Sequence, residues 1–161
     1  FASNLTGSFL PIYFRDLGLG VPQIIEILLF TFPVIGLLPV VLLKTVKNFE
    51  RVLSVGMFAT LLFFLLLIYV KNPVILGLAQ GVSMATYWPS FNLLQFRLSG
   101  PRQRARTLSL FSTVIPSLAG IFGPAAGGLI IQNIGFTSLF MISISLYLVA
   151  FLLSTDRRAH V

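Results

Sequence analysis

The chain has 161 residues, 57% of them hydrophobic and only 9% charged, with a mean hydropathy of +0.98. Soluble domains are nearer a quarter charged, so this composition excludes an ordinary water-soluble domain and makes the bilayer its natural solvent. The absence of cysteine excludes disulfides, thiolate metal sites and thiol nucleophiles. The net charge of +7 says less by its sum than by its placement.

A spanning helix needs about 20 mostly apolar residues, so the chain can hold about six with short connections. The first predicted span runs from Phe1 to about Phe14 and ends in Arg15-Asp16-Leu17-Gly18-Leu19-Gly20. At 1.5 Å per residue it covers about 21 Å, short of the roughly 30 Å hydrocarbon core. With no methionine and no basic leader before it, it reads as a span cut within its length rather than a signal peptide. The second opens at Pro22, a favourable first-turn residue, and runs to about Leu43. The basic segment from Lys44 to Arg51 follows. The third covers about Val52 to Val70, and Lys71-Asn72-Pro73 makes a tight turn. The fourth covers about Val74 to Phe96 and is followed by a basic loop to Arg106. The fifth covers about Thr107 to Gln132. Asn133-Ile134-Gly135 turns the chain into the sixth, about Phe136 to Leu153, and Ser154 to Val161 form a tail.

Sorting Lys and Arg by alternate loops tests this division. Lys44, Lys47, Arg51, Arg97, Arg102, Arg104, Arg106, Arg157 and Arg158 fall on one side, leaving only Arg15 and Lys71 for the other. The positive-inside rule then places both chain ends and the second and fourth loops in the cytoplasm. A wrong number of spans would scramble the split. The expected fold is all-α, a single bundle of six transmembrane helices over residues 1–161, in the plasma membrane. Arg102, Arg104 and Arg106 are read as cytoplasmic anchors, facing anionic lipid.

Spans three and six are nearly uniform in Leu and Phe and suit lipid on most sides. Spans one and four carry small and polar residues, which serve helix contacts or a wet cavity. Asn4 and Ser8 in span one, and Gln80, Ser83, Tyr87, Trp88 and Ser90 in span four, are the candidates for a polar path. Ser83, Tyr87 and Ser90 share a face at i, i+4 and i+7. Interhelical glue is the competing reading of each single residue. Trp88 lies too deep in its span for an interfacial anchor. Glu26 is the one acid at membrane depth and is a candidate proton relay, although one turn after Pro22 it would also complement a helix amino terminus.

Span five holds Gly120-Ile-Phe-Gly-Pro-Ala-Ala-Gly-Gly-Leu-Ile130. Pro116, Gly120, Pro124 and Gly128 recur every fourth residue, and Ala119, Gly123 and Gly127 form a neighbouring row. Such small-residue rows let another backbone come close. Pro116 and Pro124 leave the carbonyls of Ser112 and Gly120 without their helical donors.

This pattern of spans resembles the amino-terminal half of a major facilitator superfamily transporter. Gly123-Pro124 followed by Gly127-Gly128 is similar to the fifth-span motif of its drug–proton antiporters, with Ala119 in place of a preceding glycine. Tyr13 to Leu19 looks like the family's first external loop, and Arg104-Ala105-Arg106 like the start of its fifth span. The loop between spans two and three departs from the family pattern, with Thr45 at its aspartate position and Asn48 at its second glycine. Gly77 stands where an arginine is frequent.

The resemblance implies a twelve-helix fold working by alternating access, of which this chain is one half. The partners it implies are a small-molecule substrate, the lipid bilayer, and a carboxy-terminal six-helix half or a second copy that meets the fifth span. The sparseness of ionisable residues favours a neutral, amphipathic or apolar substrate, with efflux as one direction. The competing class is a membrane subunit or transporter remnant that moves nothing. No Ser/His/Asp set, paired carboxylates or metal cluster can be assembled within the spans, His160 lies in the tail, and no cofactor is expected. Basic loops without interleaved aromatic residues argue against nucleic acid.

Overall fold

A computed structural model of the chain describes residues 2–46, 48–100 and 102–156. These residues are almost entirely helical, with no strand among them. Lys47, Arg157, Arg158 and His160 lie outside the described residues.

The first expected span is two short helices, α1 (Ala2–Gly7) and α2 (Leu10–Asp16). The break has a local cause. Gly7 is a poor helix former, and Pro11 has no N–H for the Gly7 carbonyl and crowds it with its ring. Helix α2 then ends in a Schellman motif: Leu19 N–H reaches Phe14 C=O at 3.0 Å, and Gly18 N–H reaches Arg15 C=O at 2.9 Å. Gly18 holds φ +81°, a conformation that favours glycine.

Helix α3 (Val21–Thr45) carries Pro22 in its first turn. Helix α4 (Phe49–Tyr69) is capped by Asn48, whose side-chain oxygen accepts from the N–H groups of Glu50 and Arg51. The residue that replaces a family glycine therefore has a structural use as an N-cap. Helix α5 (Pro73–Leu98) is capped in the same way by Asn72, which accepts from Val74 and Ile75. Helix α6 (Arg104–Ser109) continues through one π-helical segment, Leu110–Val114, into α7 (Ile115–Ile134). The wider turn puts the Ile115 N–H on the Leu110 carbonyl, just before Pro116 withdraws a donor. Pro124, by contrast, sits within α7 without ending it. Gly135, at φ +89°, turns the chain into α8 (Phe136–Asp156).

Among the described residues, four helical stretches are long and apolar enough to cross a bilayer: Val21–Leu42, Glu50–Tyr69, Arg104–Ile134 and Phe136–Leu153. Helix α5 has the length, at 26 residues, but not the composition, and the first expected span is divided. The structure thus matches four of the six expected spans by length and hydropathy.

Packing explains how α5 tolerates its polarity. It lies between α3 and α4, while α4 also packs on α8, and α1 packs on α7 and α8. Its contacts are close because glycines face neighbouring backbones. A Cβ on Gly77 would stand 2.5 Å from the Ile27 carbonyl oxygen, and one on Gly56 of α4 would stand 2.7 Å from the Tyr87 nitrogen. The Thr31 hydroxyl lies 2.8 Å from the Ile27 carbonyl and 3.0 Å from the Gly77 carbonyl, tying α3 to α5.

The core gathers Tyr13, Phe14, Ile27, Phe63, Phe64, Leu67, Leu76, Phe140 and Tyr147. Tyr13 meets Phe140 edge-on, with centroids 4.6 Å apart, a favourable aromatic geometry. Its hydroxyl donates to the Leu67 carbonyl at 2.5 Å. That carbonyl lies in the last turn of α4, where helical donors have run out. Spans three and six, expected to face lipid on most sides, are 39% and 22% buried. Span three is the most enclosed of the four apolar spans, whereas span two is 11% buried. Hydropathy alone does not separate the two settings, because lipid and a helix core favour the same side chains.

Candidate functional site

A cavity of about 120 Å³ lies among α1, α4, α5 and α8. Four of the predicted path residues line it: Gln80, Ser83, Tyr87 and Trp88. Their meeting follows from the faces of α5. Gly77 and Gly81 turn toward α3, where a Cβ on Gly81 would stand 2.7 Å from Val34 Cβ. Ser83 and the backbone at Tyr87 turn toward α4. Gln80, Met84 and Trp88, spaced i, i+4 and i+8, are left along the cavity. Met84 and Trp88 are 39% and 44% exposed and bring the cavity to the surface.

The remaining path candidates fall elsewhere. Asn4 packs under α7, with its backbone and Cβ 3.0 to 3.1 Å from where a Cβ on Gly123 would stand. Ser8 is exposed at the break between α1 and α2, and Ser90 is buried; neither lines the cavity. Span one contributes Ser3, Thr6, Gly7 and Leu10 instead. Glu26 is partly buried on α3 and lies apart from the cavity.

Sequence reasoning missed the contributions of α4 and α8, namely Thr60, Phe63, Phe64 and Tyr147. The signals were present but weak. Thr60 and Tyr147 are polar positions in otherwise uniform Leu/Phe runs, and each one engages a partner. The Thr60 and Ser83 hydroxyls are 2.6 Å apart. The Tyr147 hydroxyl is hydrogen-bonded to Ser3 Oγ, joining α8 to α1. Rings close much of the wall: Tyr87 meets Tyr147 edge-on at 6.4 Å and Trp88 edge-on at 5.4 Å. No Lys, Arg, Asp or Glu lines the cavity. Among the described residues, no group of three or more His, Asp or Glu side chains is placed to hold a metal ion.

The fifth-span motif divides into two rows with different surroundings. Ala119, Gly123 and Gly127 are buried. A Cβ on Gly127 would collide with the Leu5 carbonyl oxygen and stand 2.7 Å from the Phe9 ring. In the neighbouring row, a Cβ on Gly120 would meet nothing beyond its own helix within 4 Å, one on Gly128 would meet only Phe9 at 3.7 Å, and Pro116 and Pro124 are partly exposed. The expectation that this helix turns its small residues to a second bundle is therefore corrected for Gly123 and Gly127. They face α1 of the same chain, tightly at Gly123 and closely enough at Gly127 that the Leu5 carbonyl leaves no room for a side chain.

Of the three arginines, Arg102 and Arg106 are exposed. Arg104 is folded back, with its guanidinium carbon 3.9 Å above the centre of the Phe96 ring. That contact ties α6 to α5 by a cation–π interaction.

The sequence as a whole matches the family model described as Major Facilitator Superfamily over residues 1–160. The chain belongs to the major facilitator superfamily. Among relatives of this superfamily chain, an uncharacterized protein in the sodM 3′ region of Geobacillus stearothermophilus is 31% identical over 156 residues, covering 86% of the chain and 69% of the relative. The uncharacterized protein YqgE of Bacillus subtilis (strain 168) is 34% identical over half of the chain and 20% of its own length. The methylenomycin A resistance protein of Streptomyces coelicolor is 37% identical over 42% of the chain and 14% of its own length. No solved structure matches the chain. Superfamily membership makes it a membrane protein of a transport family.

Proposed function

We propose that the chain forms one six-helix half of a secondary active transporter that moves a neutral or amphipathic small molecule by alternating access, in the direction of efflux. The observation that carries this reading is the uncharged, aromatic-walled cavity that α1 and α5 share with α4 and α8. A mostly apolar recess with a few polar groups in a helix bundle suits a neutral or amphipathic solute. The broken first span supports it as well, since Gly7 at the break lines the recess, and discontinuous helices are a recurrent feature of transporter sites.

In this reading Gln80, Tyr87 and Trp88 contact the solute, Ser83 holds α5 to α4, and Glu26 carries a coupling proton. The second six-helix half, or a second copy, closes the path. The basic loops lie in the cytoplasm and the bundle in the plasma membrane. The resistance named for the Streptomyces relative lends weight to efflux.

The test is solute movement by the full-length protein in sealed vesicles, with and without an imposed proton gradient, across a panel of neutral amphipathic compounds. Gradient-dependent movement that Glu26→Gln abolishes is the expected result. Movement unchanged by Glu26→Gln removes the relay, and no movement in either condition removes the transporter reading in favour of a helix-packing subunit.

A further inference from the structure

The corner between α5 and α6 carries charge for which the cavity has no use. We infer that it binds the headgroup of an anionic phospholipid, with Arg102 and Arg106 as the phosphate contacts and Arg104 held out of the contact. The inference goes beyond the transporter reading and depends neither on transport nor on which leaflet the corner faces.

Charge comes first. Residues 97–106 hold four arginines and no acid, and the sequence has no Asp or Glu between Glu50 and Asp156. Arg102 and Arg106 are exposed, and among the described residues neither has an ion-pair or hydrogen-bond partner. A guanidinium presents a planar fork that meets a phosphate with two parallel hydrogen bonds. Two such forks four residues apart, with no neighbouring acid in the sequence to compete, suit a phosphodiester of net negative charge. A zwitterionic headgroup would bring an ammonium for which residues 97–106 offer no carboxylate.

Arg104 is set differently. Its Nε is buried, and its guanidinium carbon lies 3.9 Å above the centre of the Phe96 ring. The three arginines that the sequence presents as one set thus divide, two facing outward and one spent on the contact between helices.

Depth follows from the helices. Helix α5 ends at Leu98, and the apolar stretch Arg104–Ile134 begins at the same corner. The arginines therefore stand where a span meets the headgroup layer, and basic clusters beside a span are a recurrent form of anionic-lipid recognition. Leu110 donates its N–H to the Arg106 carbonyl and so shares the face of Arg106. It is 45% exposed and is followed by Phe111 at 41%. A free phosphate would use the arginines alone, whereas a phospholipid also lays an acyl chain on this apolar surface. That contiguity favours the lipid as the source of the phosphate.

The experiment is lipid retention by the full-length protein in a neutral detergent. Phosphatidylglycerol and phosphatidylcholine with the same acyl chains are offered in equal amounts, and bound lipid is read by native mass spectrometry. The unmodified protein is expected to prefer phosphatidylglycerol by at least about tenfold. Each of Arg102→Gln and Arg106→Gln is expected to lower that preference about fivefold, the gain from one basic side chain at an anionic surface. Arg104→Gln is expected to lower it less than either. The pair Arg15→Gln and Lys71→Gln, which removes the same charge from other loops, is expected to leave it unchanged. No preference in the unmodified protein overturns the inference, as does a preference that survives the loss of Arg102 and Arg106 together. An equal drop in the Arg15 and Lys71 pair overturns it by making net charge the cause, and an equal drop in Arg104→Gln overturns the division of roles. Excess glycerol phosphate at matched ionic strength is expected not to displace the lipid. Displacement would give the site to a soluble phosphate and overturn the inference too. Because no gradient is used, a failure here leaves the transport assay standing, and a failure of transport leaves lipid retention intact.

Discussion

Single glycines decide how closely the helices of this bundle approach. At Gly127 the space that a side chain would need is held by the Leu5 carbonyl and the Phe9 ring. The Leu5 carbonyl cannot withdraw without moving α1. Gly127→Leu is therefore expected to insert normally yet lose stability by about 1–3 kcal/mol, the usual cost of overpacking. Thermal unfolding in detergent or nanodiscs measures this. Gly120→Ala, with no atom within 4 Å of the added carbon, is expected to be neutral or slightly stabilising, because alanine is the better helix former. Equal behaviour of the two variants would contradict the packing described. The sequence showed both rows of small residues, but their spacing is the same. Which row α1 occupies is a tertiary fact that spacing does not contain.

At the scale of helices, the π-helical segment is the clearest case of a residue shaping an element. A wide turn at Leu110–Val114 shifts the helical register of what precedes it relative to α7, and Arg104, which lies before it, rests on Phe96. A double-mutant cycle with Arg104→Gln and Phe96→Leu is expected to show a coupling of about 0.5–1 kcal/mol. In a Pro116→Ala background, where a regular α turn can re-form, that coupling is expected to vanish. A coupling that persists would separate Pro116 from the π turn. Most helices were legible beforehand to within a few residues: Pro22, Asn72-Pro73 and Gly135 are strong punctuation, and the long spans between them are strongly apolar. The break at Gly7 to Phe9 was not, although Gly7 and Pro11 were visible, because apolar flanks read as one span. The burial of α4 was hidden for a related reason. Its Phe and Leu residues serve a core and a lipid surface equally well.

For the whole molecule, the asymmetry of basic loops gives a definite orientation to check. Single cysteines placed at Lys44, Arg102, Arg15 and Lys71, in a background without other cysteines, are expected to divide two and two. A membrane-impermeant maleimide added to intact cells should label positions 15 and 71 and spare 44 and 102. The reverse pattern would invert the topology. The cavity depends on this same whole-molecule arrangement, and it carries a consequence for the order of assembly. Helix α1 is seated on Gly123 and Gly127 of α7 and on Tyr147 of α8. Those residues are made more than a hundred positions later. The segment that enters the membrane ahead of α3 is thus the last to dock, and the bundle stays open on that side until α8 has emerged.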